Sequence, residues 1–421
     1  MNGQVRERPM LTTVTRLDTS AIRKQFPALY RTENGRPVTW FDGPGGSQVP
    51  HSVIEAISGF LVRGGSNHGG VFTASRDSEE VHEAARTAVG DLLGVGPDDY
   101  VVFGMNMTSL NLALSRALSA DWGPGDEVVV TRLDHDANIA PWLLAATDRG
   151  ATVRWVPFDT TTYRLDLASL EEAVGPRTKV VAVTHASNAI GTIVDVKEAT
   201  RIAHEVGAVV VVDAVHFAPH GLIDMAGIGC DFLLASAYKF FGPHLGAMAG
   251  SGQLLEKLDA YKVRPAPATG PGKWETGTQS FEALAGVIAA VDHIAGLSPT
   301  SADRRQQISD AYAAINKHAV GLGERFLGGL PDAVTVFGIT DDITARTPTY
   351  AVEMEGYSTR RLATELADRG IYVTDGDYYA MEVMRSLRRA DGGLVRIGFL
   401  HYTTEEEVDR LLAALHDLAI N

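Results

Sequence analysis

Short apolar runs alternate with segments of helical apolar spacing between residues 100 and 235. The clearest run, 209–212, is four consecutive valines, a pattern typical of a strand covered on both faces. Helical spacing over residues 196–206 precedes it. This alternation predicts an α/β fold with a mainly parallel sheet and right-handed crossovers. The predicted strands are residues 100–103, 127–131, 152–156, 179–184, 208–213 and 232–235.

The pattern changes near residue 290, where strand and helix stop alternating regularly. Three later runs, 349–353, 370–373 and 395–399, are predicted strands of a smaller C-terminal α+β domain. The last helix is predicted to begin at Thr404 with Glu407 as its capping-box partner, and an earlier helix to begin at Asp77 and end at Gly94. We therefore expect an N-terminal segment (1–35), a large domain (36–290) and a small domain (291–421).

Composition and charge narrow the class of protein. The chain has 421 residues, 45% hydrophobic and 21% charged, which is ordinary for a globular protein and excludes coiled coil, collagen and disorder. Its formal net charge of −15 disfavours nucleic acid and anionic membranes as general partners. One cysteine, Cys230, excludes a disulfide framework and a cysteine-rich metal site, and no metal is expected. Without a signal-like or membrane-spanning apolar run, we expect a cytoplasmic protein.

Polar residues follow several of the predicted strands directly. Because carboxyl ends of parallel strands share one edge of the sheet, these side chains should converge there. They offer a lysine amine, a carboxylate, imidazoles and a group of hydroxyl and amide side chains. Pyridoxal phosphate needs such a set: an amine to bond, an acid at its ring nitrogen and donors for its phosphate. Singly, Lys239 could be a solvated lysine and Asp213 a helix cap. The residues are Asn106–Ser109, His135, His185, Ser187, Asn188, Asp213, Ser236 and Lys239.

At this point the sequence resembles a known family over nearly its whole length. It is similar to the fold-type I pyridoxal-phosphate enzymes of aminotransferase class V, in particular to the branch of cysteine desulfurases. The resemblance rests on several stretches in matching order and spacing. They are residues 41–46 (FDGPGG), 134–138 (DHDAN), 184–192 (THASNAIGT), 212–216 (VDAVH), 236–239 (SAYK), 274–278 (WETGT) and 395–398 (VRIG).

The resemblance implies roles around the cofactor ring. Lys239 would bond the cofactor and later act as general base for the substrate α-proton. Asp213 would pair with the ring nitrogen, and His135 would stack on the ring. His216 stands where the family commonly has a glutamine near the phenolic oxygen, and Tyr238 where many relatives have a histidine on the phosphate.

The resemblance also implies phosphate and substrate contacts. Ser236 and the helix start at Asn106, Met107 and Thr108 would hold the phosphate. Thr278 would reach the phosphate of the other subunit, which implies a homodimer.

For the amino-acid substrate, Arg396 would bind the carboxylate with help from Asn188. His68 and Tyr379 are further candidates near the substrate, and Tyr378, Tyr379 or His68 could supply a second acid or base.

One departure from the family decides which function we expect. Desulfurases attack sulfur with a cysteine in the loop that corresponds to residues 374–381, where this chain has Tyr379 near the expected position. Cys230 begins a predicted strand, where a small buried residue is usual. Persulfide-forming desulfuration is therefore disfavoured.

The function we expect is β-elimination from an S-substituted cysteine, that is, a carbon–sulfur lyase. Decarboxylating oxidative deamination of such a substrate, transamination and epimerisation stay open as alternatives. A non-catalytic regulator is disfavoured, because the two predicted domains leave no appended DNA-binding region.

Overall fold

The computed structural model describes residues 17–299, 301 and 303–420. Strands and helices alternate through the first two thirds of this range. The helices are α1 (Thr19–Arg23), α2 (His51–Arg63), α3 (Thr73–Leu93), α4 (Met107–Leu118), α5 (Ala140–Arg149), α6 (Leu167–Ala173), α7 (Val196–His204), α8 (Met225–Ile228), α9 (Gly252–Lys257), α10 (Phe281–Gly296), α11 (Arg304–Gly328), α12 (Thr359–Asp368), α13 (Met381–Ser386) and α14 (Glu405–Ile420). The strands are β1 (Thr32–Glu33), β2 (Arg36–Pro37), β3 (Thr39–Trp40), β4 (Asp99–Gly104), β5 (Glu127–Thr131), β6 (Thr152–Val156), β7 (Thr178–Thr184), β8 (Val209–Asp213), β9 (Phe232–Ser236), β10 (Gly246–Ser251), β11 (Val334–Phe337), β12 (Thr349–Met354), β13 (Ile371–Tyr372), β14 (Thr374–Gly376) and β15 (Leu394–Gly398).

A seven-stranded sheet of order β4-β10-β9-β8-β7-β5-β6 forms the centre of the molecule. The five strands β5 to β9 pair with one another in parallel, whereas β10 is antiparallel to both of its neighbours, β4 and β9. The predicted α/β fold with a mainly parallel sheet is thus confirmed. All six strands predicted for this sheet are present, with ends that differ from the prediction by one residue at most.

Both faces of this sheet are covered, which explains why its strands are apolar throughout. Val210 and Val212 of β8 belong to one apolar layer, and Val211 between them belongs to the layer on the opposite face. Successive side chains of a strand point to opposite faces, so a run of valines fills both layers. The carboxyl ends of β7, β8 and β9 are thereby fixed side by side, and the site lies there.

Two local features differ from the sequence prediction. Strand β10 was not predicted, because its sequence GAMAGS lacks the branched residues that favour strands. Its Gly246 permits a close approach to α4, since a Cβ there would lie 2.3 Å from the carbonyl carbon of Asn106. Helix α3 begins at Thr73 instead of Asp77. Its end at Gly94 is as predicted, and this glycine caps the helix in the left-handed conformation.

The C-terminal part forms an antiparallel sheet of order β11-β12-β15-β14, packed with α11, α12 and α14. The predicted capping box of the last helix is confirmed: Glu407 N donates to Thr404 Oγ1 at 3.1 Å, and Thr404 N donates to Glu407 Oε2 at 3.0 Å. The predicted strand 370–373 is the short β13, which pairs in parallel with β3 and stays outside this sheet.

The division at residues 35 and 290 stays a prediction. Residues 1–16 lie outside the described part of the chain, while Ile22 and Phe26 pack into the main apolar core. Residue 290 lies within α10, which packs against α2 and α3, so we propose that any division falls between α10 and α11.

In the described ranges, helices long enough to cross a bilayer lack the continuous apolar sequence that crossing would need. The cytoplasmic location stays a prediction from the sequence.

Candidate active site

A cavity of about 630 Å³ opens at the carboxyl ends of β7, β8 and β9, beside the start of α4. Twelve of the residues predicted to bind cofactor or substrate line it together. The parallel strands place these polar side chains at one edge of the sheet, as expected. The twelve are Asn106, Met107, Thr108, His135, Asn188, Asp213, His216, Ser236, Tyr238, Lys239, Tyr379 and Arg396.

Lys239 follows β9 in a 3₁₀ turn and extends its amine into the cavity. Its Nζ donates to the carbonyl oxygens of Pro44 and Gly45, the latter at 3.1 Å. Enclosure among protein atoms, followed by the charge of Arg396, lowers the pKa of this amine to about 7. A substantial share of the amine is therefore uncharged near neutral pH, which is the nucleophilic form.

Asp213 ends β8, and its carboxylate Oδ1 accepts from the Val215 backbone N–H at 2.9 Å. Burial raises the pKa of this carboxyl to about 6. A second buried carboxyl, Asp134, accepts from Asn138 Nδ2 at 2.7 Å and from the Thr131 hydroxyl. Burial raises its pKa to about 8, so near neutral pH Asp213 holds the negative charge of the pair.

His135 and Tyr379 face each other across the cavity mouth, with ring centroids 5.5 Å apart and planes within 20°. The Ala137 N–H donates to His135 Nδ1 at 3.0 Å, which fixes the ring. Burial, followed by the charges of Lys239 and Arg396, lowers the pKa of His135 to about 4, so the ring is neutral. Tyr378 and Tyr379 have φ of 55° and 58°, which is rare for bulky residues and marks a constrained turn.

The start of α4 offers a cradle for an anion. The Asn106 side chain caps the helix by accepting from Ser109 N at 2.9 Å, and Met107 N lies 3.2 Å from the Ser236 hydroxyl oxygen. Thr108 lines the same corner of the cavity. Helix N-termini with free N–H groups and hydroxyls bind phosphate groups.

Arg396 on β15 reaches the opposite end of the cavity, where it is 5% exposed. Its Nη1 donates to the Asn188 carbonyl at 3.2 Å, and its Nη2 lies 3.4 Å from Asp42 Oδ1. Its Nε and the side-chain Oδ1 of Asn188 are buried without a hydrogen-bond partner in the described chain. The guanidinium lines the cavity and lies 4.4 Å above the centroid of the Tyr378 ring, so it can receive a carboxylate.

One wall of the cavity is apolar and was not predicted from the sequence. Leu112 of α4 and Ala140, Pro141 and Leu144 of α5 form it. Leu144 is 56% exposed although it is a large apolar residue. The helical spacing of 140, 141 and 144 could have indicated a common face, but nothing in the sequence shows that this face borders the site.

Asp42, Pro44 and Gly45 are further site residues whose roles the sequence did not reveal. The stretch 41–46 carries part of the family resemblance, and its loop contacts both Lys239 and Arg396.

Cys230 lies far from these residues. It precedes β9 at the amino end of the strand, six residues before Ser236, which corresponds to about 20 Å along an extended chain. The thiol is buried in the main core, and burial raises its pKa to about 12. Such a thiol is a poor nucleophile.

His68 and Thr278, two predicted site residues, do not line the Lys239 cavity within one chain. Both line a second cavity of about 1140 Å³. The centroid of the His68 ring lies 6.0 Å from those of His82 and Phe281. A role of His68 at the substrate stays a prediction, and it would require the site to be completed by a second chain.

The donor set of the Lys239 cavity fits pyridoxal phosphate. Lys239 provides the amine, Asp213 the carboxylate, α4 the anion cradle and His135 a neutral aromatic face. Arg396, which lines the same cavity, adds a cationic group for a substrate carboxylate.

Comparisons with known proteins agree with this inventory. Residues 39–411 match the family model described as aminotransferase class V. An uncharacterized protein of Mycobacterium tuberculosis is 33% identical, over 95% of this chain and 99% of its own length. A probable cysteine desulfurase of Vibrio cholerae is 31% identical, over 95% of this chain and 98% of its own. Among solved structures, the cysteine desulfurase CsdA from Escherichia coli is 27% identical with a TM-score of 0.82, covering 96% of this chain and 99% of its own.

Proposed function

This chain belongs to the aminotransferase class V family and uses pyridoxal phosphate, and on that premise we propose that it is a carbon–sulfur lyase. The substrate is an S-substituted cysteine, and the reaction is β-elimination to a thiol, pyruvate and ammonia with consumption of one water. One observation supports the proposal: the loop of residues 374–381, which by resemblance corresponds to the loop of the desulfurase cysteine, lines the cavity with Tyr379, while Cys230 is buried and does not line it.

The bound cofactor supplies an electron-withdrawing ring that stabilises negative charge at the substrate α-carbon. Lys239 then takes the α-proton on Nζ, a role suited to an amine whose pKa is lowered to about 7. Asp213 would keep a proton on the ring nitrogen of the cofactor, because a nearby carboxylate favours the charged form of that nitrogen.

Arg396 positions the substrate for this step. Its contacts with the Asn188 carbonyl, Asp42 and the Tyr378 ring hold the guanidinium in place, which favours a carboxylate bound in one orientation. That orientation decides which α-carbon bond is cleaved. An arginine fork that fixes the carboxylate in one direction can thereby select loss of the α-proton over loss of the carboxylate itself.

The leaving thiolate needs little protonation, so the neutral His135 ring is compatible with this chemistry. The apolar wall of Leu112, Pro141 and Leu144 offers space for the substituent on sulfur. This wall supports an S-conjugated cysteine over free cysteine, because a small polar thiol would leave it uncovered.

We also propose that the enzyme is a homodimer, in which Thr278 of one subunit reaches the phosphate held by the other. Its position outside the Lys239 cavity supports this arrangement. Val263 in the cavity that holds Thr278 is 68% exposed although it is apolar, which is compatible with a subunit contact there.

Product analysis with S-benzyl-L-cysteine tests the reaction. We expect phenylmethanethiol, pyruvate and ammonia by mass spectrometry, with turnover kept in Cys230→Ser and lost in Lys239→Ala. A decarboxylated aldehyde formed only with dioxygen would establish oxidative deamination instead. A keto acid that retains the benzylthio group would establish transamination, and α-deuterium exchange without products would establish epimerisation. Alanine with a persulfide dependent on Cys230 would overturn the proposal.

A further inference from the structure

His216 lies between the cavity and two buried threonines. His216 is 4% exposed and lines the cavity, and the centroid of its ring lies 5.2 Å from that of the His220 ring. Its Nε2 lies 3.1 Å from the Thr349 hydroxyl oxygen and 3.2 Å from that of Thr347. Its Nδ1 has no protein hydrogen bond in the described chain and is not sealed from the cavity. One nitrogen therefore faces protein and the other faces the cofactor site.

The ring carries a single proton. Burial and the neighbouring His220, Lys239, Arg396 and His135 hold the pKa of His216 well below its usual range. A neutral imidazole is protonated on one nitrogen, and the hydrogen bond at the other nitrogen selects which. The choice decides whether His216 donates a hydrogen bond into the cavity or accepts one from it.

The acceptors available to the two threonine hydroxyl groups near Nε2 determine the tautomer. Thr347 Oγ1 lies 3.3 Å from the carbonyl oxygen of Gly191 and donates its proton there. The fully buried Thr349 hydroxyl has His216 Nε2 as its hydrogen-bond partner in the described residues. If Nε2 carried a proton, the Thr349 proton would be left without an acceptor. If Nε2 is bare, both hydroxyl protons are bonded.

We propose that Thr349 is a positioning residue whose hydroxyl donates to His216 Nε2, places the ring proton on Nδ1 and so makes His216 a hydrogen-bond donor to the bound cofactor. A glutamine at this position could donate by rotating its amide, whereas a histidine must be set in one tautomer. Because the Nε2–H tautomer would leave the buried Thr349 hydroxyl proton without an acceptor, we expect the Nδ1–H tautomer to be favoured over it by roughly 5- to 150-fold. The inference rests on the bound pyridoxal phosphate and is independent of which substrate bond is cleaved.

The test compares wild-type holoprotein with Thr349→Val and Thr349→Ser. In protein labelled with ¹⁵N-histidine, His216→Gln identifies the His216 signals among the 13 histidines by subtraction. We expect wild type and Thr349→Ser to carry the proton on Nδ1. Thr349→Val should move population to the Nε2–H form, which can donate to Thr347.

The visible absorption band of the bound cofactor gives a second readout. We expect Thr349→Val to shift the band, and Thr349→Ser and His216→Gln to keep it, because both retain a donor at the cofactor. A wild-type Nε2–H tautomer would overturn the proposal even if the valine variant did not fold. An unshifted tautomer in a folded Thr349→Val protein would overturn it as well.

Discussion

Replacing Arg396 with lysine tests the substrate end of the cavity. The guanidinium is buried, contacts the Asn188 carbonyl and Asp42, and lines the cavity. Lysine preserves the charge but loses the planar pair of N–H donors. Loss of one hydrogen bond to a charged group costs about 1.5–3 kcal/mol. We therefore expect kcat/KM for S-benzyl-L-cysteine to fall roughly 10- to 150-fold, mainly through KM.

A substrate without the carboxylate separates recognition from general damage. S-benzylcysteamine should be a far poorer ligand than S-benzylcysteine for the wild-type enzyme, as measured by competitive inhibition. This difference should shrink in Arg396→Lys, because the fork that recognises the carboxylate is gone. Arg389→Lys is the matched control, since Arg389 makes a bidentate pair with Glu353 outside the cavity at 2.7 and 2.8 Å. If Arg396→Lys and wild type discriminate equally between the two ligands, Arg396 does not bind the carboxylate.

Three further changes have expected outcomes. Burial raises the pKa of Asp213 from 3.8 to about 6, so ionisation of this carboxyl lowers the free energy of unfolding as pH rises between those values. Urea unfolding of the cofactor-free protein should therefore show Asp213→Asn more stable by about 3 kcal/mol at pH 7.5 and not at pH 3.5. Turnover of the holoenzyme should fall in the same variant. A rise of stability at both pH values alike would contradict the assignment. Leu144→Asp should raise KM for the S-benzyl substrate by about fivefold, the effect of losing half of a leucine burial, and leave KM for S-methylcysteine unchanged. Mixing Thr278→Ala with Lys239→Ala chains should restore activity equal to about a quarter of the wild-type sites. Half of the randomly formed dimers contain one chain of each kind, and each of these holds one intact site out of two. If mixing gives no gain in activity, Thr278 does not contribute to a shared site.

The sequence predicted the central fold because its strands are short and apolar on both faces. Residues such as Val210–Val212 have one structural solution, a strand covered by helices on each side. Strand β10 was not predicted, because its small residues permit close packing against α4 at Gly246, and strand propensities do not measure such packing. The start of α3 was misplaced because Asp77 resembles a cap, whereas the chain enters the helix at Thr73 without a side-chain cap.

The site was predictable where residues follow strands and unpredictable where distant segments meet. Asp213 ends β8, and Lys239 and His135 follow β9 and β5 of the same parallel set of strands, so the topology brings the three to one edge of the sheet. The contact between His216 and Thr349 spans 133 residues of sequence and depends on how β12 lies beside the large sheet. His68 and Thr278 line another cavity because their loops lie near α10, and no periodicity in the chain indicates that placement.

The antiparallel strand β10 has a consequence for the order in which the molecule is made. Strand β4, which leads into α4 and the anion cradle, has β10 as its only strand neighbour in the described sheet, and β10 ends 147 residues after β4. A ribosome adding 5–20 residues per second needs roughly 7–30 s to cover that distance. Until β10 is made, β4 and the cradle have no neighbouring strand in the described sheet, whereas β5 to β9 can pair with one another once β9 is complete at Ser236. Emerging chains that have completed β9 but not β10 should therefore hold a folded parallel sheet without the phosphate corner, so the capacity to retain the cofactor is gained in one late step of synthesis.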